Sequence, residues 1–124
     1  MIYLDTHVVV WLYAGLVDKF SQQARSLINE HEIFISPIVR LELQYLYEIQ
    51  RLTVDANTIV SDLSSRIGLK VCDKPFNTVI VQALTSAWTR DPFDRIIVAQ
   101  AELHHDVLIS KDRTILEYYS KARW

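Results

Sequence analysis

Two aspartates, Asp91 and Asp94, open the segment DPFDRIIVAQA, which is otherwise largely apolar. Asp91 stands before a proline, and this pair is typical of a helix N-cap followed by the first helical residue. Asp94 lies on the same helical face as an apolar stripe, so its side chain points towards the expected core. The stripe consists of Ile97, Val98 and Ala101. We therefore interpret Asp91 as a helix cap, and Asp94 as either a structural acid favoured by the helix dipole or a carboxylate with a chemical role.

Glu42 lies inside the predicted helix SPIVRLELQYLYEIQR, where capping is not available. Its face of the helix is apolar, and the polar side chains gather on the opposite face. A lone buried carboxylate costs several kcal/mol unless it is paired, hydrogen-bonded or metal-bound. A structural salt bridge would satisfy Glu42, but we favour a functional carboxylate. The polar face consists of Arg40, Gln44, Glu48 and Arg51.

Two further acids follow predicted strands. Asp5 ends the first strand, and Asp112 follows the strand VLIS by one residue. Ligands of open parallel α/β sheets bind beyond the carboxyl ends of the strands, although each acid could also simply cap the next helix. Glu42 and Asp94 are expected in the first turns of helices entered from the same edge, so four carboxylates could converge on one cleft.

Converging carboxylates require a cation, because two unit charges about 4 Å apart repel by roughly 4 kcal/mol at an effective dielectric of 20. Four oxygen ligands without cysteine favour Mg²⁺ or Mn²⁺ over Zn²⁺. Such an ion keeps bound waters, can activate one as a nucleophile and stabilises charge on a phosphate. The four acids therefore predict phosphodiester hydrolysis.

Short strand-like segments alternate with longer amphipathic ones, which predicts an α/β fold with a mostly parallel sheet. At 124 residues with 50% hydrophobic residues, the chain fits one domain spanning residues 1–124. The predicted strands are 2–5, 32–35, 69–71, 106–109 and, less clearly marked, 122–123. The predicted helices are 6–13, 21–30, 37–51, 56–67, 75–86, 92–105 and 113–119. Asp55 and Asp73 stand near the starts of two of them and are candidate helix caps.

Composition narrows the function further. The formal net charge of −2 provides no global basic field, so a nucleic-acid partner must be held by local cations. The single cysteine, Cys72, is expected in the core, and the four histidines are expected to be structural or on the surface. The N-terminus has no basic leader and no membrane-length apolar run, which predicts a cytoplasmic protein. The local cations are Arg40, Arg90, Arg95, Lys111 and Arg113.

Four segments in this order, DTHVVVWL, SPIVRLEL, DPFDRIIVAQA and LISKD, resemble a PIN-domain ribonuclease, specifically a VapC-type toxin of a toxin–antitoxin pair. The resemblance spans nearly the whole chain and implies a PIN-like three-layer sandwich with four to five strands and about seven helices. It also implies that the quartet of Asp5, Glu42, Asp94 and Asp112 binds Mg²⁺ or Mn²⁺ and is catalytic. Thr6 and Ser110 would be site-lining hydroxyls, and Arg95 and Lys111 the substrate-binding cations. One metal ion is expected, since the tail RTILEYYSKARW has no further aspartate.

The resemblance also implies an RNA substrate, a homodimer, and a VapB-type antitoxin that places a basic side chain among the acids. Two alternatives remain open: a PIN nuclease of RNA processing without an antitoxin, and a non-catalytic PIN-like binding module. An aspartyl phosphotransferase fits less well, because DTH lacks the second acid two residues on. Candidate contact residues are Leu43, Tyr45 and Tyr47 in one region and Trp11, Tyr13 and Trp88 in another.

Overall fold

Five parallel strands form the centre of the fold in the computed structural model, which describes residues 1–124. They are ordered β3-β2-β1-β4-β5, and every neighbouring pair is parallel. The predicted α/β class is thus confirmed, with a sheet that is wholly rather than mostly parallel. The strands are β1 (Ile2–Leu4), β2 (Ile33–Ile35), β3 (Lys70–Val71), β4 (Val107–Ile109) and β5 (Ala122–Arg123).

Seven α-helices surround the sheet, as predicted, and a short 3₁₀ turn, Val17–Lys19, follows the first of them. None of the helices combines the length and the apolarity that a membrane crossing requires. The helices are α1 (Thr6–Ala14), α2 (Gln22–Glu30), α3 (Pro37–Glu48), α4 (Ala56–Ile67), α5 (Phe76–Leu84), α6 (Pro92–Glu102) and α7 (Arg113–Tyr118).

The strand order places a topological switch point between β1 and β4. From β1 the chain proceeds to β2 and β3 on one side, then crosses back to β4 and β5 on the other. Right-handed crossovers in opposite directions put helices on both faces of the sheet, which gives three layers. The loops that follow β1 and β4 diverge at the switch point, where α/β sheets form ligand crevices. Asp5 directly follows β1, and Ser110 directly follows β4.

The core forms around β1, whose three residues are all buried, as expected for a strand with helices on both faces. The apolar stripe of α6 is buried too, including Ile97 and Val98. Leu43 is also fully buried, so its prediction as a surface contact is wrong: it is one turn after Val39 on the core face of α3. Cys72 lies in the core, as predicted.

Helix starts follow the predicted capping chemistry, with one exception. Ser36 accepts a hydrogen bond from Ile38 N, and Asp55 accepts one from Thr58 N. Asp73 does not cap α5, because the residue before that helix is Pro75, which makes no side-chain cap bond. Asp73 is therefore an exposed loop acid.

Helix α3 ends three residues earlier than the predicted limit at Arg51. Gln50 has a left-handed backbone with φ of 63°, and the amides of Arg51 and Leu52 both donate to the Leu46 carbonyl, at 2.8 and 3.2 Å. This turn satisfies carbonyls that the helix end leaves free. Arg51 consequently lies beyond α3 and not on its polar face. Helix α6 likewise ends early, before His105 with φ of 57°.

Candidate active site

A cleft of about 330 Å³ is lined by all four predicted acids, Asp5, Glu42, Asp94 and Asp112. It lies at the switch point of the sheet, beyond the carboxyl ends of β1 and β4. The sequence-based prediction that the four carboxylates share one cleft therefore agrees with the structure. The remaining lining residues are Thr6, His7, Val10, Trp11, Leu46, Arg51 and Leu52.

Asp5 is the most deeply buried of the four acids, with 4% of its surface exposed. Its Oδ1 atom accepts a hydrogen bond from Thr6 N at 2.7 Å and caps α1, and its Oδ2 atom accepts one from Ser110 Oγ at 2.7 Å. Both oxygens are thus engaged, and the partial positive charge at the start of α1 favours the carboxylate. Asp5 is held in one orientation at the base of the cleft.

Asp112 is linked to Asp5 through the same serine. Its backbone amide donates to Ser110 Oγ at 3.0 Å, and its own Oδ1 accepts from Ile115 N at 3.0 Å, which caps α7. Ser110 is fully buried. The predicted site hydroxyl Ser110 therefore lies beneath the cleft, where it orients two acids instead of facing a substrate.

Glu42 lies in the second turn of α3, not in the first as expected from the sequence. Its Oε1 atom accepts a short hydrogen bond from Thr6 Oγ1, and no lysine, arginine or histidine forms an ion pair with it. Burial raises the pKa of Glu42, the Thr6 bond lowers it, and the charges of Asp5 and Asp91 raise it. The structural salt bridge considered from the sequence does not form.

Asp94 lies in the first turn of α6, as predicted. Burial, followed by the neighbouring charges of Asp5, Asp91, Asp112 and Glu42, raises the pKa of Asp94 to about 7. The four carboxylates therefore stand close enough to repel one another. Part of this negative charge would be neutralised at neutral pH by protonation of Asp94.

Asp91 caps α6, as predicted. Its Oδ1 atom accepts hydrogen bonds from Phe93 N at 2.9 Å and from Asp94 N at 3.2 Å. Its charge nevertheless acts on the site, because it contributes to the raised pKa of Asp94 and of Glu42. Asp91 is an exposed cap beside the cleft and not part of its lining.

His7 is a site residue that the sequence analysis did not identify. Its Nε2 atom accepts a hydrogen bond from Lys111 N at 2.9 Å, so the proton of the neutral ring is on Nδ1, which lies 3.5 Å from Asp5 Oδ2. Burial lowers the pKa of His7, although the charges of Asp5 and Asp112 act to raise it. The adjacency of His7 to Asp5 in the chain was the signal that could have revealed it.

Arg51 also lines the cleft and was not predicted there. Its guanidinium is exposed and makes no ion pair. The sequence placed it on the face of α3 opposite Glu42, whereas the left-handed turn at Gln50 brings it to the same cleft as Glu42. His7 and Arg51 are the two basic side chains of the lining.

The two predicted substrate-binding cations have different positions. Arg95 donates from Nε and Nη2 to the carbonyl of Ala83, at 3.3 and 3.0 Å, which ties α6 to the end of α5 and keeps Arg95 out of the cleft lining. Lys111 is exposed at the rim, and its Nζ atom lies 5.9 Å from the ring centroids of both Trp11 and Trp124. Only Lys111 is placed near the acids.

The donor set of the cleft suits a hard divalent cation, since it offers carboxylate oxygens and no sulfur. Burial first, and the neighbouring carboxylates second, raise the pKa values of Asp94 and Glu42, and a cation would relieve the second contribution. In the present side-chain arrangement no three acidic, histidine or cysteine side chains form a group that could hold one ion.

Comparison with protein families gives one match that covers nearly the whole chain. The model described as PIN domain matches residues 2–121, a span that includes all four acids. The chain belongs to the PIN domain family. Among curated protein sequences, no match to this PIN domain was found.

Solved structures share the PIN domain fold of this chain. VapBC2 from Rickettsia felis bound to a DNA fragment from their promoter is 20% identical, with a TM-score of 0.63 over 94% of this chain and 92% of that one. A toxin-antitoxin complex from Klebsiella pneumoniae is 15% identical, with a TM-score of 0.68 over 100% and 97%. VapBC-1 from nontypeable Haemophilus influenzae is 17% identical, with a TM-score of 0.59 over 100% and 96%. At these identities the likeness establishes the fold of the PIN domain.

Proposed function

We propose that this PIN domain protein is a Mg²⁺- or Mn²⁺-dependent endoribonuclease that hydrolyses RNA phosphodiester bonds as the toxin of a type II toxin–antitoxin pair. The observation that carries the proposal is the convergence of Asp5, Glu42, Asp94 and Asp112 in one cleft at the switch point of the sheet. Burial and then the charges of the other acids raise the pKa of Asp94 to about 7, and a cation between the carboxylates would offset that repulsion.

The four acids divide into two pairs by whether they cap a helix. Asp5 and Asp112 are each fixed as helix caps and are joined through Ser110. They form the rigid half of the proposed metal site. Glu42 and Asp94 cap no helix, and they form the half that adjusts to an incoming ion. Ligands that are held in place before binding lose little conformational entropy when the ion arrives.

When bound, the cation would supply an activated water and would stabilise the negative charge on the phosphate under attack. Arg51 then provides the cleft with a guanidinium that can donate two parallel hydrogen bonds to phosphate oxygens. His7 holds the loop after β4 through the Lys111 amide, so it positions Asp112 relative to Asp5. The chain's own residues thus orient the RNA backbone and the acids.

The toxin assignment rests on the three structural relatives, which are described as VapBC or toxin-antitoxin complexes. We propose a VapB-type antitoxin as the partner of this chain and a cytoplasmic location. An apolar groove of about 200 Å³ next to the cleft offers a surface for such a partner. Its lining includes Trp11, Leu12, Leu16, Val17 and Phe20.

We also propose a homodimer, because α3 and α5 expose several large apolar side chains. Leu41 is 58% exposed, Tyr45 48% and Leu84 71%. Apolar side chains clustered on a surface mark interaction sites more often than isolated ones do. Sedimentation velocity at tens of micromolar should give about twice the chain mass of 14.4 kDa, and a monomer would reject the dimer.

The experiment for the activity uses purified protein and single-stranded RNA with Mg²⁺, with Mn²⁺, or with a chelator. Cleavage is expected only with a cation, and Asp5→Asn should remove it, because the variant loses a ligand charge while keeping the side-chain shape. Asp62→Asn is the matched control, since Asp62 lies on α4 in an ion pair with Arg66, away from the cleft. Equal cleavage by wild type and Asp5→Asn would reject the proposed nuclease site.

A further inference from the structure

Aromatic and basic side chains gather beside the acidic cleft in a cluster that the proposed chemistry does not use. The rings of Trp11 and Trp124 meet edge to face with centroids 5.7 Å apart, and Phe20 packs against both. Two lysines lie over these rings: Lys19 Nζ is 5.0 Å from the centroid of Trp11, and Lys111 Nζ is 5.9 Å from both tryptophans. We call Trp11, Trp124, Lys19 and Lys111 the aromatic rim.

Trp11 connects the aromatic rim to the acids. It belongs to the lining of the acidic cleft, and its ring lies 4.9 Å from that of His7, which in turn contacts Asp5. A ligand that enters the cleft therefore comes within reach of Trp11. The rim is continuous with the site and not a separate surface.

The two lysines have no carboxylate partner. Every ion pair of the molecule involves other cations, and both lysine side chains belong to exposed residues. Their charge at the rim contrasts with the net charge of −2 of the chain. Unpaired cations beside aromatic rings suit a ligand that brings both an anion and a flat apolar group.

We propose that the aromatic rim is a subsite for an unpaired nucleobase of single-stranded RNA next to the scissile phosphate. The base stacks on Trp11 or Trp124, and the phosphate of the same nucleotide displaces Lys19 or Lys111 from the ring face and pairs with it. Stacking on aromatic side chains combined with basic groups is the common mode of single-strand recognition. The inference rests on the proposed ribonuclease function and assigns its substrate as single-stranded at this position.

Tryptophan fluorescence provides a direct test, because the chain has three tryptophans and only two belong to the rim. Trp88 stacks on Tyr118 with centroids 4.7 Å apart and lines neither the cleft nor the groove. The probes are an oligoadenylate of about eight nucleotides and a ribose-phosphate oligomer of equal length without bases. Binding is followed by fluorescence quenching, once with chelator and once with Ca²⁺.

Oligoadenylate should quench the emission and bind about tenfold more tightly than the oligomer without bases, since each stacked base adds affinity. Most quenching should disappear when Trp11 and Trp124 are both replaced by phenylalanine, and it should remain in Trp88→Phe. Replacing Lys19 and Lys111 together by glutamine should lower the slope of log affinity against log salt by about 0.7. Lys70→Gln should not change it, because Lys70 is paired with Glu32 at the sheet edge.

Equal affinity for the two oligomers would overturn the base subsite, and so would quenching lost in Trp88→Phe instead of the rim variants. Absence of any RNA-dependent signal under both conditions would also overturn it and leave the rim as a surface for a protein partner. Cleavage in Mg²⁺ is measured on the same preparations. If the protein cleaves RNA but binds both oligomers with equal affinity, only the subsite is rejected. If it binds oligoadenylate more tightly but does not cleave RNA, only the nuclease is rejected.

Discussion

The hydroxyl of Ser110 donates to Asp5 Oδ2 at 2.7 Å and at the same time accepts from the backbone amide of Asp112 at 3.0 Å. One buried side chain thus fixes two acids that follow neighbouring strands, β1 and β4. The distance between these acids is set by the sheet itself, since the Asp5 amide also donates to the carbonyl of Ile109 at the end of β4. The position of the rigid half of the site therefore follows from strand pairing.

Ser110→Ala should lower the free energy of unfolding by about 1–3 kcal/mol, because the buried Asp5 carboxylate loses a donor and water cannot replace it. RNA cleavage should fall as well, since Asp5 and Asp112 lose their common link. Urea denaturation measures the first effect. Ser64→Ala on the exposed face of α4 is the control and should change stability by less than about 0.5 kcal/mol. Identical stability of the two variants would contradict the role of Ser110.

Glu42→Gln should nearly abolish RNA cleavage and leave the fold intact or slightly stabilised. The amide keeps an oxygen that accepts from Thr6 Oγ1, and it removes a charge repelled by Asp5. Circular dichroism and thermal unfolding check the fold beside the activity assay. Glu48→Gln, an exposed neutralisation in the same helix, should keep full activity. An unfolded Glu42→Gln variant would instead mean that the carboxylate is structural.

Asp91→Asn should retain most of the cleavage activity, while Asp94→Asn should lose it. Asparagine caps a helix nearly as well as aspartate, so Phe93 N and Asp94 N keep their acceptor. The small change expected in Asp91→Asn comes from its contribution to the negative field at Asp94. Rates of RNA cleavage at saturating Mg²⁺ distinguish a helix-capping role of Asp91 from a metal-binding role. A loss in Asp91→Asn equal to that of Asp94→Asn would place Asp91 in the metal site.

Without a metal ion, stability should depend on pH through Asp94. Its pKa of about 7 in the folded protein exceeds the value of about 3.9 in an unfolded chain. The folded state then binds more protons between these values, so the Asp94 contribution to the free energy of unfolding falls as pH rises from about 4 to about 7. The lowered pKa of His7 acts in the opposite direction.

Asp94→Asn isolates this contribution, because the variant still contains His7. The stability of Asp94→Asn relative to wild type should therefore increase steadily across the same pH range. Urea unfolding at pH 4, 5, 6 and 7 in the presence of a chelator gives the free energy of unfolding of wild type and of Asp94→Asn as a function of pH. Parallel curves would show that Asp94 titrates normally in the folded protein.

The sequence predicted the acids and the sheet because both depend on local patterns. The order of residues alone reveals a carboxylate directly after an apolar strand, as at Asp5. It also reveals a carboxylate on an apolar helix face, as at Glu42. The five strands are short, four of them contain β-branched residues, and parallel pairing follows from the helices between them. The positions of four site residues could therefore be predicted before the fold was known.

The residues that sequence reasoning missed depend on contacts between distant parts of the chain or on an unmarked turn. His7 gains its role from the amide of Lys111, 104 positions away. Arg51 reaches the cleft because Gln50 adopts a left-handed conformation, which in most proteins is marked by glycine. Arg95 was expected near RNA, but the carbonyl of Ala83 at the end of α5 holds it elsewhere. None of these partners can be identified from the periodicity of the sequence.

The most direct test is whether the four carboxylates hold the cation that cleavage requires. Calorimetry measures Mn²⁺ binding, and RNA cleavage is measured on the same preparations of wild type and of Asp5→Asn. We expect about one ion per wild-type chain, with the cleavage rate reaching saturation at the same Mn²⁺ concentration as binding, in line with the single metal site proposed for the cleft that the quartet lines. Asp5→Asn should show greatly weakened binding and no cleavage. Undiminished cleavage in excess EDTA, or Mn²⁺ binding by Asp5→Asn as tight as that of wild type, would contradict a metal-dependent nuclease at this cleft.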